Sequence, residues 1–298
     1  MPEDAQQYIA WVIESSRHVL IGNLFTLAPP QRVFLHPAIT ISGALHWFGV
    51  PAAIAHALWV PVALVTLIAG TLLTCHRFLS ESRDRAAALV VALFFAFPPI
   101  LNHALLPAGS PGARGLSATS IDSAAIVNMW GYPLSVLAFA LLPFGLLAHS
   151  KARLEGSSFC TAASACLLAS AWLQPWQGLV AAASLIGLEV AIVAASRGRR
   201  LDPAVSPHGL RLCASSCAAA MLPVAGYALL GATDPAFIAT GPNTAWLAST
   251  ERWWTILLAV APLLVFAGFG FRLAGRFDPA DLMLRIWPAA SLATALAM

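Results

Sequence analysis

Charge is what this sequence has least of. Asp, Glu, Lys and Arg make up 10% of its 298 residues, whereas a soluble domain carries about 25%. So few charged groups cannot solvate the surface of a soluble protein of this size, and a soluble fold is excluded. No charged segment followed by a short apolar core opens the chain, so no signal peptide is expected. Cysteine is scarce and unpatterned. Cys75, Cys160, Cys166, Cys213 and Cys217 have neither disulfide-framework nor metal-site spacing. Cys213 and Cys217 share a helix face and are read as small packing residues. The net charge is only +3 and the basic residues are scattered over short loops, which argues against a nucleic-acid partner. P-loop and dinucleotide fingerprints are missing as well.

What remains is strongly apolar, with 59% hydrophobic residues and a mean hydropathy of +0.78. These residues gather into stretches of membrane-spanning length at about 52–74, 87–106, 132–149, 157–173, 179–196, 212–232, 253–271 and from 283 to the end. The predicted fold is all-α: a polytopic transmembrane helical bundle of about eight spans, forming one integral membrane domain over residues 1–298. Residues 1–50 form no obvious span. Ala5 to Leu20 reads as an amphipathic helix, with Ile9, Val12, Ile13 and Leu20 set against Gln6, Glu14 and Arg17. A helix lying at the membrane interface fits that pattern. Pro98-Pro99 should kink or break the second span. Asp278 as a cap, Pro279 in the first turn and Asp281 near the positive dipole end mark a helix start.

The loops alternate in charge. Twelve of the 16 lysines and arginines fall on one side of the predicted bundle, leaving Arg17, Arg32, Arg114 and Arg252 on the other. The positive-inside rule makes the basic side cytoplasmic. Residues 1–50, 107–131, 174–178 and 233–252 then face outward. That orientation carries the amino-terminal segment across the membrane with no preceding span, so an upstream helix is expected.

Most of the unusual polar and aromatic chemistry lies in the outward segments. Glu3 and Asp4 are paired carboxylates at the membrane surface, suited to general-base work or to holding a divalent cation. The same pair also reads as a solvated helix cap. His36 follows in FLHPA, and Asn102 and His103 lie just below a Gly- and Pro-rich loop carrying Arg114, which can grip phosphate. A plain surface loop is the alternative there. Trp130 opens the third span, and WLQPWQG, with Trp176 and Gln177, joins the fourth and fifth. An interfacial tryptophan belt accounts for most of these rings, which can also stack on a sugar or cover a lipid headgroup. Glu189 lies within the fifth span. An intramembrane carboxylate is a functional-site hypothesis by default, but a protonated Glu bonded to a neighbouring helix is the preferred reading.

Set beside one another, EDAQQYIAW, NLFTLAP with FLHPA, NMWGYPLSVLAFALLPFGLLA, WLQPWQG and the segment from Asp234 to Trp254 resemble bacterial multispanning proteins related to GT-C-type membrane glycosyltransferases. The resemblance runs over almost the whole chain. It implies a GT-C-like fold in the bacterial cytoplasmic membrane and a polyprenyl-phosphate sugar as donor on the non-cytoplasmic face. It further implies that an acidic residue near the outer surface, here Asp4 with Glu3 as alternate, activates the acceptor. A basic group neutralises the leaving phosphate, with His36, His103 and Arg114 the candidates in that order. Such proteins tend to carry a span ahead of the acidic motif and more helices after residue 298, so the resemblance implies a chain shortened at both ends. Gln174 stands where they often have His. Two other functions compete with this one: a carrier or flippase for a polar lipid or solute, and a non-catalytic membrane partner or remnant.

Overall fold

The computed structural model describes residues 3–22, 31–95, 125–155, 159–197, 207–238, 261, 264–265 and 279–297. Almost all of them are helical, and no β-strand occurs among them beyond one isolated bridge between Ile21 and Phe34. The helices are α1 (Glu3–Ser15), α2 (Pro37–Trp47), α3 (Ala52–Ala57), α4 (Trp59–Phe78), α5 (Ser82–Phe94) and α6 (Ala125–Gly131). They continue with α7 (Pro133–Glu155), α8 (Cys160–Leu173), α9 (Pro175–Arg197), α10 (Pro207–Thr233) and α11 (Pro279–Ala297).

Among the described residues, four segments are long and apolar enough to cross a membrane: Ala52–Phe78, Pro133–Glu155, Pro175–Ala194 and His208–Thr233. Their outward faces remain apolar, as at Val65, Ile186, Val190, Leu222 and Leu229, each more than half exposed. In water such faces would be a liability, whereas in lipid they are the solvated surface. The expected span at 157–173 is shorter than predicted. Its helix begins at Cys160 and ends at Leu173 because the residue before Pro175, Gln174, is driven into extended backbone (φ −149, ψ 104). At 14 residues, α8 is roughly 21 Å long, short of a 30 Å hydrocarbon layer. Of the remaining expected spans, 87–106 is described only to residue 95, and 253–271 lies almost wholly outside the described residues, as does Pro98-Pro99. The last corresponds to α11, which begins at Pro279 as predicted but carries Asp281 and Arg285 in its first half.

The centre of the bundle is α7, packed against α4, α6, α8, α9, α10 and α11. Small residues let the backbones approach. A Cβ at Gly145 would lie 2.6 Å from Leu167, one at Gly70 would lie 3.0 Å from the Ala140 carbonyl, and one at Gly178 would lie 2.5 Å from the Ala220 carbonyl. Ser170 Oγ donates to the Ala138 carbonyl at 2.6 Å, which ties α8 to α7 where no water can reach. Leu142, Leu146, Leu167, Leu185 and Leu188 fill the middle.

Chain direction sorts the charges. The ends of α4 and α7 and the starts of α5, α10 and α11 gather Arg77, Arg83, Arg85, Lys151, Arg211 and Arg285 at one end of the bundle. The amino-terminal segment covers the other end. There α1, α2 and α3 pack on one another, and Val12, Phe34 and Ile39 form a small core with Leu134, Leu173 and Tyr227 from α7, α8 and α10.

Candidate functional site

The predicted interfacial helix exists as α1 and stops at Ser15, five residues earlier than the amphipathic pattern suggested. Glu14 causes the reversal. Its carboxylate accepts the Gly22 N–H at 3.3 Å and pairs with Arg32 at 3.2 Å. The Trp11 indole N–H donates to the Gly22 carbonyl at 3.2 Å. The Ile21–Phe34 bridge, at 2.9 and 3.1 Å, then hands the chain to α2. These contacts hold α1 across the end of the bundle.

His36 caps α2. Its Nδ1 accepts the Ile39 N–H at 3.5 Å, and Pro37 occupies the first helical position. Burial lowers its pKa to about 4, against a smaller opposing effect from a backbone hydrogen bond to Leu173. His36 is therefore a neutral ring at ordinary pH, fixed between α2 and the end of α8.

The WLQPWQG stretch is also structural in large part. Trp172 Nε1 donates to the Leu35 carbonyl at 3.0 Å, Tyr227 OH donates to the Trp172 carbonyl at 3.3 Å, and Ser135 Oγ donates to Gln174 Oε1 at 2.7 Å. These bonds explain why this stretch is more polar than a tryptophan belt requires. Trp176 is 51% exposed and Trp130 77%, so both rings reach the surface, with Gln177 half-buried.

The residue that sequence reading passed over is His56. It is 8% exposed on α3, its ring stacks on Tyr8 at 5.2 Å and 10°, and neither ring nitrogen has a hydrogen-bond partner among the described residues. Gln7 Nε2, one position before Tyr8 on α1, is buried and has no partner among the described residues either. Buried polar atoms are nearly always satisfied, so each of these groups marks a place for a ligand or a water. The signal was present in the sequence as one histidine inside AAIAHALW. Asp4 lies one helical turn before Tyr8 and Glu3 one turn before Gln7, so positions 4 and 8, like 3 and 7, share a face of α1. The side chains of Glu3 and Asp4, and the whole of His103 and Arg114, lie outside the described residues.

Beside this cluster is a cavity of about 350 Å³ between residues 33–35, α8 and α10, walled by Phe34, Trp172, Leu222, Pro223 and Tyr227. Its lining is almost wholly apolar. Pro223 interrupts the α10 hydrogen-bond ladder, and a Cβ at Gly226 would meet nothing within 4 Å, so the helix is open on this side.

A second polar group lies nearer the basic end. Arg153 Nη1 donates to Glu189 Oε1 at 2.6 Å, with the two side chains 7% and 9% exposed. His149 Nδ1 is 3.2 Å from Ser216 Oγ, while His149 Nε2 and Glu189 Oε2 have no partner among the described residues. The expected bond from Glu189 to a neighbouring helix is present, and its partner is Arg153 of α7. The predicted span ends at residue 149 and leaves Arg153 in a loop, but no Gly or Pro stops α7 there, and the helix carries Arg153 into the bundle. Among the described residues no three His, Cys, Asp or Glu side chains gather as a metal site.

Fold and surface together define the class: a helical membrane protein. No family model, curated protein or solved structure matches the chain.

Proposed function

We propose that this chain is a multi-pass protein of the bacterial cytoplasmic membrane that transfers a sugar from a polyprenyl-phosphate donor, at the end of the bundle covered by α1, facing outward. The observation that carries this reading is the placement of α1. It lies across the bundle end, with Asp4 one turn from the Tyr8–His56 stack and its unpartnered nitrogens, beside an apolar cavity suited to a prenyl chain. The orientation is supported by the basic residues gathered at the opposite end.

In the proposed step, the Asp4 carboxylate takes the proton of the acceptor hydroxyl as its oxygen bonds to the anomeric carbon. The bond from that carbon to the phosphate oxygen breaks, and polyprenyl phosphate leaves with the electron pair. A cation should meet that phosphate. Arg114 suits the task better than His36, which is buried and neutral.

The test is release of polyprenyl phosphate from a polyprenyl-phosphate hexose in proteoliposomes. Asp4→Asn should lower turnover about a hundredfold or more, the usual size of a general-base contribution, while Glu3→Gln should leave it near wild type. Full turnover by Asp4→Asn would remove the transferase reading. A carrier reading is favoured only by the buried Arg153–Glu189 pair. It predicts transport that depends on those two residues and ignores Asp4.

A further inference from the structure

The end of the bundle away from α1 holds the larger cavity, about 520 Å³, between the end of α4, the end of α7 and the starts of α8 and α11. Its wall is made by apolar side chains that include Leu73, Phe144 and Phe159. Leu73 is 46% exposed, so the wall runs on into the apolar outer face of α4. Three charged residues also line it: Arg77, Lys151 and Glu155. Both cations lie over aromatic rings, Arg77 at 5.5 Å from the Phe78 centroid and Lys151 at 4.7 Å from that of Phe159. Lys151 makes no ion pair among the described residues.

A groove with an apolar wall reaching the lipid-facing surface and two cations against one carboxylate complements one kind of occupant. We propose that it binds a single anionic phospholipid, with the phosphate between Arg77 and Lys151 and an acyl chain along Leu73 and Phe144. Basic pockets between helices at a membrane surface recognise headgroups in this way. A zwitterionic lipid offers the same chain and phosphate, but its ammonium cancels the charge that two cations against one carboxylate favour. A soluble phosphate offers the charge and leaves the apolar wall bare. The site is independent of the transferase reading, since it lies at the opposite end of the bundle and uses none of the same residues.

The experiment is native mass spectrometry of the purified full chain in detergent, titrated with phosphatidylglycerol or with phosphatidylcholine of the same acyl chains. Phosphatidylglycerol should bind at least about tenfold more tightly. Arg77→Gln and Lys151→Gln should each weaken it by about fivefold, the value of one basic side chain near an anionic surface, with little change for phosphatidylcholine. Leu73→Trp, which fills the groove from an exposed position, should weaken both lipids. Equal affinity for the two lipids would reduce the groove to an ordinary lipid contact and overturn the proposal. So would full displacement of phosphatidylglycerol by inorganic phosphate at equal concentration, which would make this a site for a soluble anion.

Discussion

The Arg153–Glu189 pair offers the sharpest test of how this bundle is held together. The two side chains come from α7 and α9, meet at 2.6 Å and are more than nine-tenths buried. Removing one partner of such a pair leaves the other charge buried and uncompensated, which costs about 3–5 kcal/mol. Glu189 Oε2 has no partner among the described residues, so the pair is imperfectly satisfied and the lower figure, about 3 kcal/mol for each single substitution, is the better expectation. Replacing both by apolar residues removes the desolvation cost together with the attraction, and such exchanges are often neutral. Thus Arg153→Met and Glu189→Leu should each lower stability by about 3 kcal/mol, while the double variant should return to within about 1 kcal/mol of wild type. The assay is a double-mutant cycle on equilibrium unfolding of the purified protein in mixed micelles. If the double variant loses the sum of the two single effects, the residues do not interact, and the buried cluster with His149 and Ser216 loses its organising contact.

His36 and the close-packed glycines give the remaining predictions. The His36 pKa is about 4 in the folded chain and about 6.5 when unfolded, so the unfolded state takes up the proton first. Its contribution is complete above pH 6.5 and is lost as pH falls from there toward 4, about 3 kcal/mol in all. His36→Asn, which can still cap α2 but does not titrate, should flatten that part of a stability–pH profile; an unchanged slope would place its origin elsewhere. Gly178→Ala should cost about 1–3 kcal/mol, because its Cβ would meet the Ala220 carbonyl at 2.5 Å and Val224 at 2.6 Å. Gly226→Ala faces open space on α10 and should gain about 0.5–1 kcal/mol from helix propensity. Thermal unfolding of both variants checks the contrast, and equal effects would mean that α9 and α10 do not pack this closely.

What could be read from the sequence depended on whether the signal was periodic along the chain or arose across space. Of the eight apolar runs expected to span, four appear as membrane-capable helices among the described residues, each of them a local pattern. The amphipathic start was legible for the same reason, although its end was not. Ser15 stops α1 because Glu14 turns to Gly22 and Arg32, contacts eight and 18 residues away. The helix α2 escaped notice because its apolar residues show no facing pattern, and its start depends on His36 accepting an amide hydrogen bond. His56 was a single letter in an apolar run. Only the stacking of Tyr8 from α1 turns it into a buried group with two unmet nitrogens. Arg153 looked like one more basic loop residue, and nothing local could say that α9 would present Glu189 to it 36 positions later. The buried polar residues hardest to read from the sequence are those whose partners lie on other helices. Composition could therefore identify the solvent this protein lives in, but the site had to wait for the packing.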